Sequence, residues 1–239
     1  MPFLLVTGHP SSGKSTIVDR IVEFLKQSQD KYEVVLIRDD SFGGFSRDIY
    51  SDSNKEKSQR GLLRSSVQKE LSRSAIVICD GLNYIKGFRY ELFLLGKLAK
   101  TTYAVLQVKS TESSCSWLNE QKQPTERLRF NISYHIPIMF ISSSISLFRW
   151  DSPLFLVETG RIENERGNSE SEVHDLTMDL DHPSPRYVPL PLSELKDWLC
   201  EGTALVQNAS TATAPLAPPD LMHMLDKVTQ EVSGRMLLE

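Results

Sequence analysis

Apolar residues fall in short runs separated by longer stretches with a helical period. Residues 2–7 (PFLLVT), 33–37 (EVVLI), 75–79 (AIVIC) and 103–108 each read as strands. The run at 75–79 is apolar throughout with polar flanks, the pattern of a central strand covered on both faces. Between the runs, residues 16–26 carry Ile17, Ile21, Val22, Phe24 and Leu25 near a period of 3.6. Residues 58–72 repeat that spacing with Leu62, Leu63, Val67 and Leu71, and residues 90–99 read as a further helix. Residues 43–57 are polar and read as a loop. The alternation predicts an α/β fold, a doubly wound, mainly parallel sheet with flanking helices and right-handed crossovers.

The pattern weakens after about residue 160. Residues 161–185 are polar and acidic, and residues 202–219 are rich in Ala, Thr, Ser and Pro. A short helix at 192–199, with Ser193 placed to cap it, lies between these stretches. Asp220 then sits as an N-cap before a helical stripe of Leu221, Leu225, Val228 and Val232. The expected organisation is a domain over 1–160, a polar linker over 161–219 containing the short helix, and the start of a helical C-terminal domain, cut short, over 220–239.

Composition narrows the functional classes. A chain of 239 residues with net charge -4 is not built around one dominant basic surface. Its three cysteines, Cys79, Cys115 and Cys200, have no metal-like spacing and fit a reducing compartment rather than a disulfide framework.

The strongest chemical signal follows the first strand. Gly8-His9-Pro10-Ser11-Ser12-Gly13-Lys14-Ser15 matches the P-loop pattern GxxxxGK[ST] and leads into the helix through Thr16. The glycines let the backbone curl so that its N–H groups face phosphate. Lys14 brings an ammonium to the β- and γ-phosphates, and the Ser15 hydroxyl is a Mg²⁺ ligand. Asp80 ends the third strand, where a carboxylate reaches the hydration shell of that Mg²⁺. Asp39 and Asp40 end the second strand at the same sheet edge and could accept a proton from a hydroxyl or orient a water. No N-K-x-D guanine-reading sequence occurs, which favours adenine. ATP with Mg²⁺ is therefore the expected ligand pair.

A longer segment is more specific. Asp80-Gly81-Leu82-Asn83-Tyr84-Ile85-Lys86-Gly87-Phe88-Arg89-Tyr90-Glu91-Leu92 resembles a block of the killer toxin insensitivity protein twelve family, P-loop proteins associated with Elongator and similar to L-seryl-tRNA(Sec) kinase. Arg149-Trp150-Asp151-Ser152-Pro153-Leu154-Phe155 resembles a second block, as do Tyr50, Glu56, Lys57 and Arg60, and the run at 225–231. The resemblance implies a kinase-type ATPase domain and a helical C-terminal domain that helps bind tRNA. It implies support of the Elongator complex in modifying the tRNA wobble uridine, in the cytoplasm and also the nucleus. By position, 8–16 hold phosphates, Ser15 and Asp80 serve Mg²⁺, and Asp39 or Asp40 faces the γ-phosphate.

Two features stay open. Asn83, Tyr84, Lys86, Arg89 and Tyr90 could contact a phosphate or an unstacked base, or the aromatic residues could pack in the core while Lys86 and Arg89 are solvated. Arg127 and Arg129 lie where a P-loop kinase carries its lid, and a lid arginine neutralises charge on the transferred phosphoryl group. The 18 residues 131–148 then interrupt the family pattern with no Asp, Glu, Lys or Arg. His135, Pro137 and five serines argue against a membrane span there, leaving a buried apolar hairpin or a translated intron. Three functions fit these residues: an ATP-hydrolysing accessory factor, a kinase acting on a tRNA-linked or small-molecule hydroxyl, and a nucleotide-dependent binding module without turnover.

Overall fold

The computed structural model of the chain describes residues 2–29, 31–71, 75–110, 112–124, 126–127, 149–159, 190–206 and 220–236. Among these, five strands form one parallel sheet: β1 (Pro2–Gly8), β2 (Glu33–Arg38), β3 (Ala75–Asp80), β4 (Thr102–Ser110) and β5 (Leu154–Thr159). Their order is β2-β3-β1-β4-β5. The sheet is the doubly wound, parallel sheet expected from the alternation.

Side chains alternate across this sheet and define two cores. Phe3, Leu5, Val77, Cys79, Tyr103 and Val105 face one side. There they meet Leu63 and Val67 of α2 (Ser53–Glu70) and Phe88, Leu92, Phe93 and Leu95 of α3 (Lys86–Leu98). Leu4, Val6, Ile76, Ile78, Ala104 and Leu106 face the other, packed on Ile17, Val18, Ile21 and Leu25 of α1 (Lys14–Ser28). A fourth helix, α4 (Glu112–Glu120), follows β4.

The structure differs from the sequence pattern in four places. The helix α2 begins at Ser53, inside the stretch read as a loop, because the Asp52 carboxylate accepts from the N–H groups of Asn54 and Lys55. The helix α3 begins at Lys86, four residues before the expected start. The strand β5 completes the far edge of the sheet. The short helix α5 (Leu192–Glu201) packs on the sheet: Leu195 and Leu199 are buried in the α1-side core, Thr102 Oγ1 donates to the Leu199 carbonyl at 2.7 Å, and Trp198 Nε1 donates to that of Tyr103 at 2.9 Å. Ser193 lies within this helix, whose N-cap position is Pro191.

The chain divides into two compact units, residues 1–206 and 207–239. The second contains α6 (Leu221–Met236), on which Leu225 and Val228 are exposed. No helix among the described residues is long and apolar enough to cross a membrane. The expected linker at 161–185 and the interrupting segment at 131–148 lie outside the described residues.

Candidate functional site

The parallel register brings three strand ends to one level. Val6 of β1 and Arg38 of β2 both stand opposite Asp80 of β3. Beyond β1 the chain turns through residues 8–13 before entering α1. Gly8 has φ +150° and lies so close to β4 that a Cβ there would meet the Val108 carbonyl oxygen at 2.2 Å. Ser11 and Gly13 take φ of 57° and 82°, a curled backbone that glycine tolerates best. Thr159 at the end of β5 supports this loop from outside, its hydroxyl donating to the Ser12 carbonyl at 2.9 Å.

Lys14 folds back across the loop and is buried. Its Nζ donates to the carbonyls of Gly8 at 3.1 Å and His9 at 2.5 Å. Burial lowers the Lys14 pKa to about 8, against the nearby charge of Asp80. His9 is also held below its ordinary value, by burial and then by Lys14. Asp80 is buried, which pushes its carboxyl up, while Lys14, Arg38 and a hydrogen bond from Ser15 pull it down. Arg38 Nε donates to Asp80 Oδ2 at 3.1 Å, and its Nη2 reaches Asp19 Oδ1 at 2.5 Å and the Ser15 carbonyl at 3.2 Å.

Lys14, Ser15, Arg38 and Asp80 line a cavity of about 330 Å³ that also includes Pro10, Ser11, Ser12, Gly13, Thr16, Asp39 and Asp40. Ser15 and Thr16 are exposed toward solvent. Asp39 is half-buried and its carboxyl rises to about 6, chiefly by burial, with a hydrogen bond from Tyr50 opposing the rise. The structure thus brings Asp39, Asp40, Lys14, Ser15 and Asp80 into one cavity. Arg129 lies outside the described residues.

Other cations line the same cavity. Arg47 comes from the 3₁₀ turn Arg47–Ser51, and Lys122 from just beyond α4, its Nζ donating to Ser11 Oγ at 2.9 Å. Burial, then Arg47, then Lys14 lower the Lys122 pKa to about 8. Mutual repulsion among these cations is what an anionic ligand would relieve. Neither residue stands in a local motif, so spacing along the chain does not mark them.

The segment after Asp80 has a structural explanation that differs from both sequence readings of Arg89. Arg89 is fully buried, donating Nε and Nη2 to the two Asp151 oxygens at 2.8 and 3.0 Å. Its Nη1 donates to the carbonyls of Asn83 and Tyr84 at 3.1 and 2.9 Å. Asn83, at φ 46°, donates Nδ2 to the Val6 carbonyl at 2.7 Å and ties the loop to β1. Tyr84 donates to Glu56 Oε1 at 2.8 Å, and Arg60 reaches the same oxygen at 2.6 Å. Tyr90 is partly exposed beside Trp150. The blocks 80–92 and 149–155 therefore meet through one buried ion pair that sets the loop beside the cavity.

Comparison with known proteins agrees with this architecture. Residues 1–239 match the family described as "Chromatin associated protein KTI12". Protein kti12 of Schizosaccharomyces pombe is 34% identical over 246 residues, covering 97% of this chain and 74% of that one. The KTI12 homolog of Xenopus laevis is 35% identical over 233 residues with the same coverage of both chains, 97% and 74%. The crystal structure of Chaetomium thermophilum Kti12 in complex with ADP-AlF3 superposes with a TM-score of 0.58 at 32% identity, covering 66% of this chain and 89% of that one. A P-loop NTPase fold and a match along the whole sequence place this chain in the KTI12 family.

Proposed function

We propose that the chain binds ATP with Mg²⁺ and hydrolyses it, acting as an accessory ATPase of the Elongator complex that engages tRNA during wobble-uridine modification. The observation that carries the nucleotide reading is the buried Lys14 ammonium lying across its own loop beside Asp80, at the edge where β1, β2 and β3 end. A relative of this family is described in complex with ADP-AlF3, which supports the same ligand class here. Elongator, tRNA and a cytoplasmic place rest on family membership, and the family's description as chromatin-associated supports a nuclear place.

In this reading the main chain of 8–16 and the Lys14 ammonium hold the phosphates. Ser15 and Asp80 fit Mg²⁺, because a hydroxyl and a carboxylate in hydrogen-bond contact both line the cavity and are hard oxygen donors. When bound, that ion would neutralise charge on the β- and γ-phosphates. Asp39 accepts the proton of the attacking water. The water oxygen bonds the γ-phosphorus, the bond to the bridging oxygen breaks, and its electrons leave with ADP. Arg47 and Lys122 supply positive charge to the transferred group, the task expected of Arg129.

Turnover of ATP with and without tRNA, alongside a search for labelled phosphate on any acceptor, tests this. Phosphate release stimulated by tRNA supports the proposal. Label on RNA or a metabolite would make the chain a kinase, and tight binding without release would make it a binding module. Lys14→Ala abolishes ATP binding; unaltered affinity in that variant places the site elsewhere.

A further inference from the structure

Asp39 is held from two directions, by the helix α2 and by the turn that carries Arg47. Its carbonyl accepts from Gln59 Nε2 of α2 at 2.7 Å. Its Oδ2 accepts a hydrogen bond from the phenol of Tyr50. Tyr50 sits on the 3₁₀ turn Arg47–Ser51, whose start is capped by Ser46, and its ring packs edge-on against Phe45 at 6.2 Å. Gly81 lacks the Cβ that would stand 3.3 Å from Asp39 Oδ2, so the carboxylate can sit close beneath the loop after β3.

We propose that Tyr50 is the positioning residue of the catalytic carboxylate: its phenol fixes Oδ2 of Asp39, so that Oδ1 takes the proton of the attacking water. The assignment rests on the hydrolysis reading above for its chemistry, and on the hydrogen bonds alone for its geometry.

The electrostatics support it. Asp39 faces Asp80 from β3, Lys14 from α1 and Asp40 beside it, with Arg47 on the same turn as Tyr50 and Cys79 behind. Burial raises the carboxyl, as do Asp80 and Asp40, whereas the Tyr50 hydrogen bond and Lys14 lower it, leaving it near 6. The phenol itself is pushed well above its ordinary range by burial and by Asp39, so it stays a proton donor at every working pH. Without that donor Asp39 would be protonated over more of the neutral range and could not accept a proton there.

Tyr50→Phe removes one oxygen and keeps the ring on Phe45. The full chain, wild type and variant, is titrated by carboxyl ¹³C NMR, with the Asp39 resonance identified by its loss in Asp39→Asn. The pH dependence of kcat and KM for ATP is measured in parallel. The expected result is an Asp39 midpoint raised by about one pH unit, with KM within about twofold of wild type. The acid limb of kcat moves with it, so that kcat falls about fivefold near pH 6 and recovers above pH 8. Tyr50→Gln, which restores an N–H donor, brings the midpoint back toward wild type. An unmoved midpoint in folded Tyr50→Phe overturns the proposal, as does a loss of kcat by the same factor at every pH. A moved midpoint in a protein whose wild type does not turn over ATP would instead sink the hydrolysis reading and leave the hold on Asp39 standing.

Discussion

Lys14 carries its charge in a buried position. Burial lowers its pKa from 10.5 to about 8, with Asp80, Cys115 and Asp39 opposing and Arg47 adding to the effect. Between those pH values the unfolded chain holds the proton more fully than the folded one, so stability rises with pH across that window. Below it both states are protonated, and the folded state carries the whole penalty, on the order of 3 kcal/mol. Lys14→Met keeps the stem and removes the charge, but it leaves the Gly8 and His9 carbonyls without their donor. Those lost hydrogen bonds offset part of the gain, leaving about 1 kcal/mol. The variant should melt about 2–4 °C above wild type at pH 7 while losing ATP affinity. Near pH 10 the advantage should be gone. Thermal unfolding at both pH values checks the sign, and a variant less stable at pH 7 would mean that the ammonium is better solvated than its burial implies.

At the scale of elements, the buried pair of Arg89 and Asp151 joins α3 to the turn Arg149–Asp151 ahead of β5. Removing one partner leaves a buried charge unpaired and costs about 3–5 kcal/mol. Asp151→Leu alone should therefore lower the urea midpoint sharply, and Arg89→Met added to it should restore much of the loss. Asp39, Asp80 and the loop 8–15 are legible in the sequence because each demand is local: a glycine where the backbone curls, an acid where an apolar strand stops. The ion pair is not legible that way, since 62 positions separate its members and only the sheet brings them together. The start of α2 is hidden because its first two turns are polar, with Glu56 and Gln59 buried for their hydrogen bonds to Tyr84 and the Asp39 carbonyl rather than for packing. Arg47 and Lys122 are missed for the same reason, as cations supplied by a turn and a helix end.

At the scale of the whole molecule, the sheet needs α5 although the helix starts at Leu192, 33 positions beyond Thr159 in sequence. On the α1 side the strands present Leu4, Ala104 and Leu106, and Leu195 and Leu199 belong to the same core. Burying two leucines contributes about 3–6 kcal/mol, a large share of the roughly 5–15 kcal/mol that separates a folded domain from its unfolded chain. The segment after α5 adds a main-chain bond, Leu205 N–H to the Thr101 carbonyl at 2.8 Å. A chain ending at residue 160 should expose that core face, whereas one ending at residue 206 keeps it covered. The longer fragment should unfold in a single cooperative transition and retain ATP binding. The shorter one should show a broad, low-amplitude melt and bind hydrophobic dyes, since Thr102 and Tyr103 lose the contacts to Leu199 and Trp198. Calorimetry on the two fragments decides between them. Equal midpoints would mean that α5 rests on the sheet without stabilising it, and that the ATP-binding unit ends with β5.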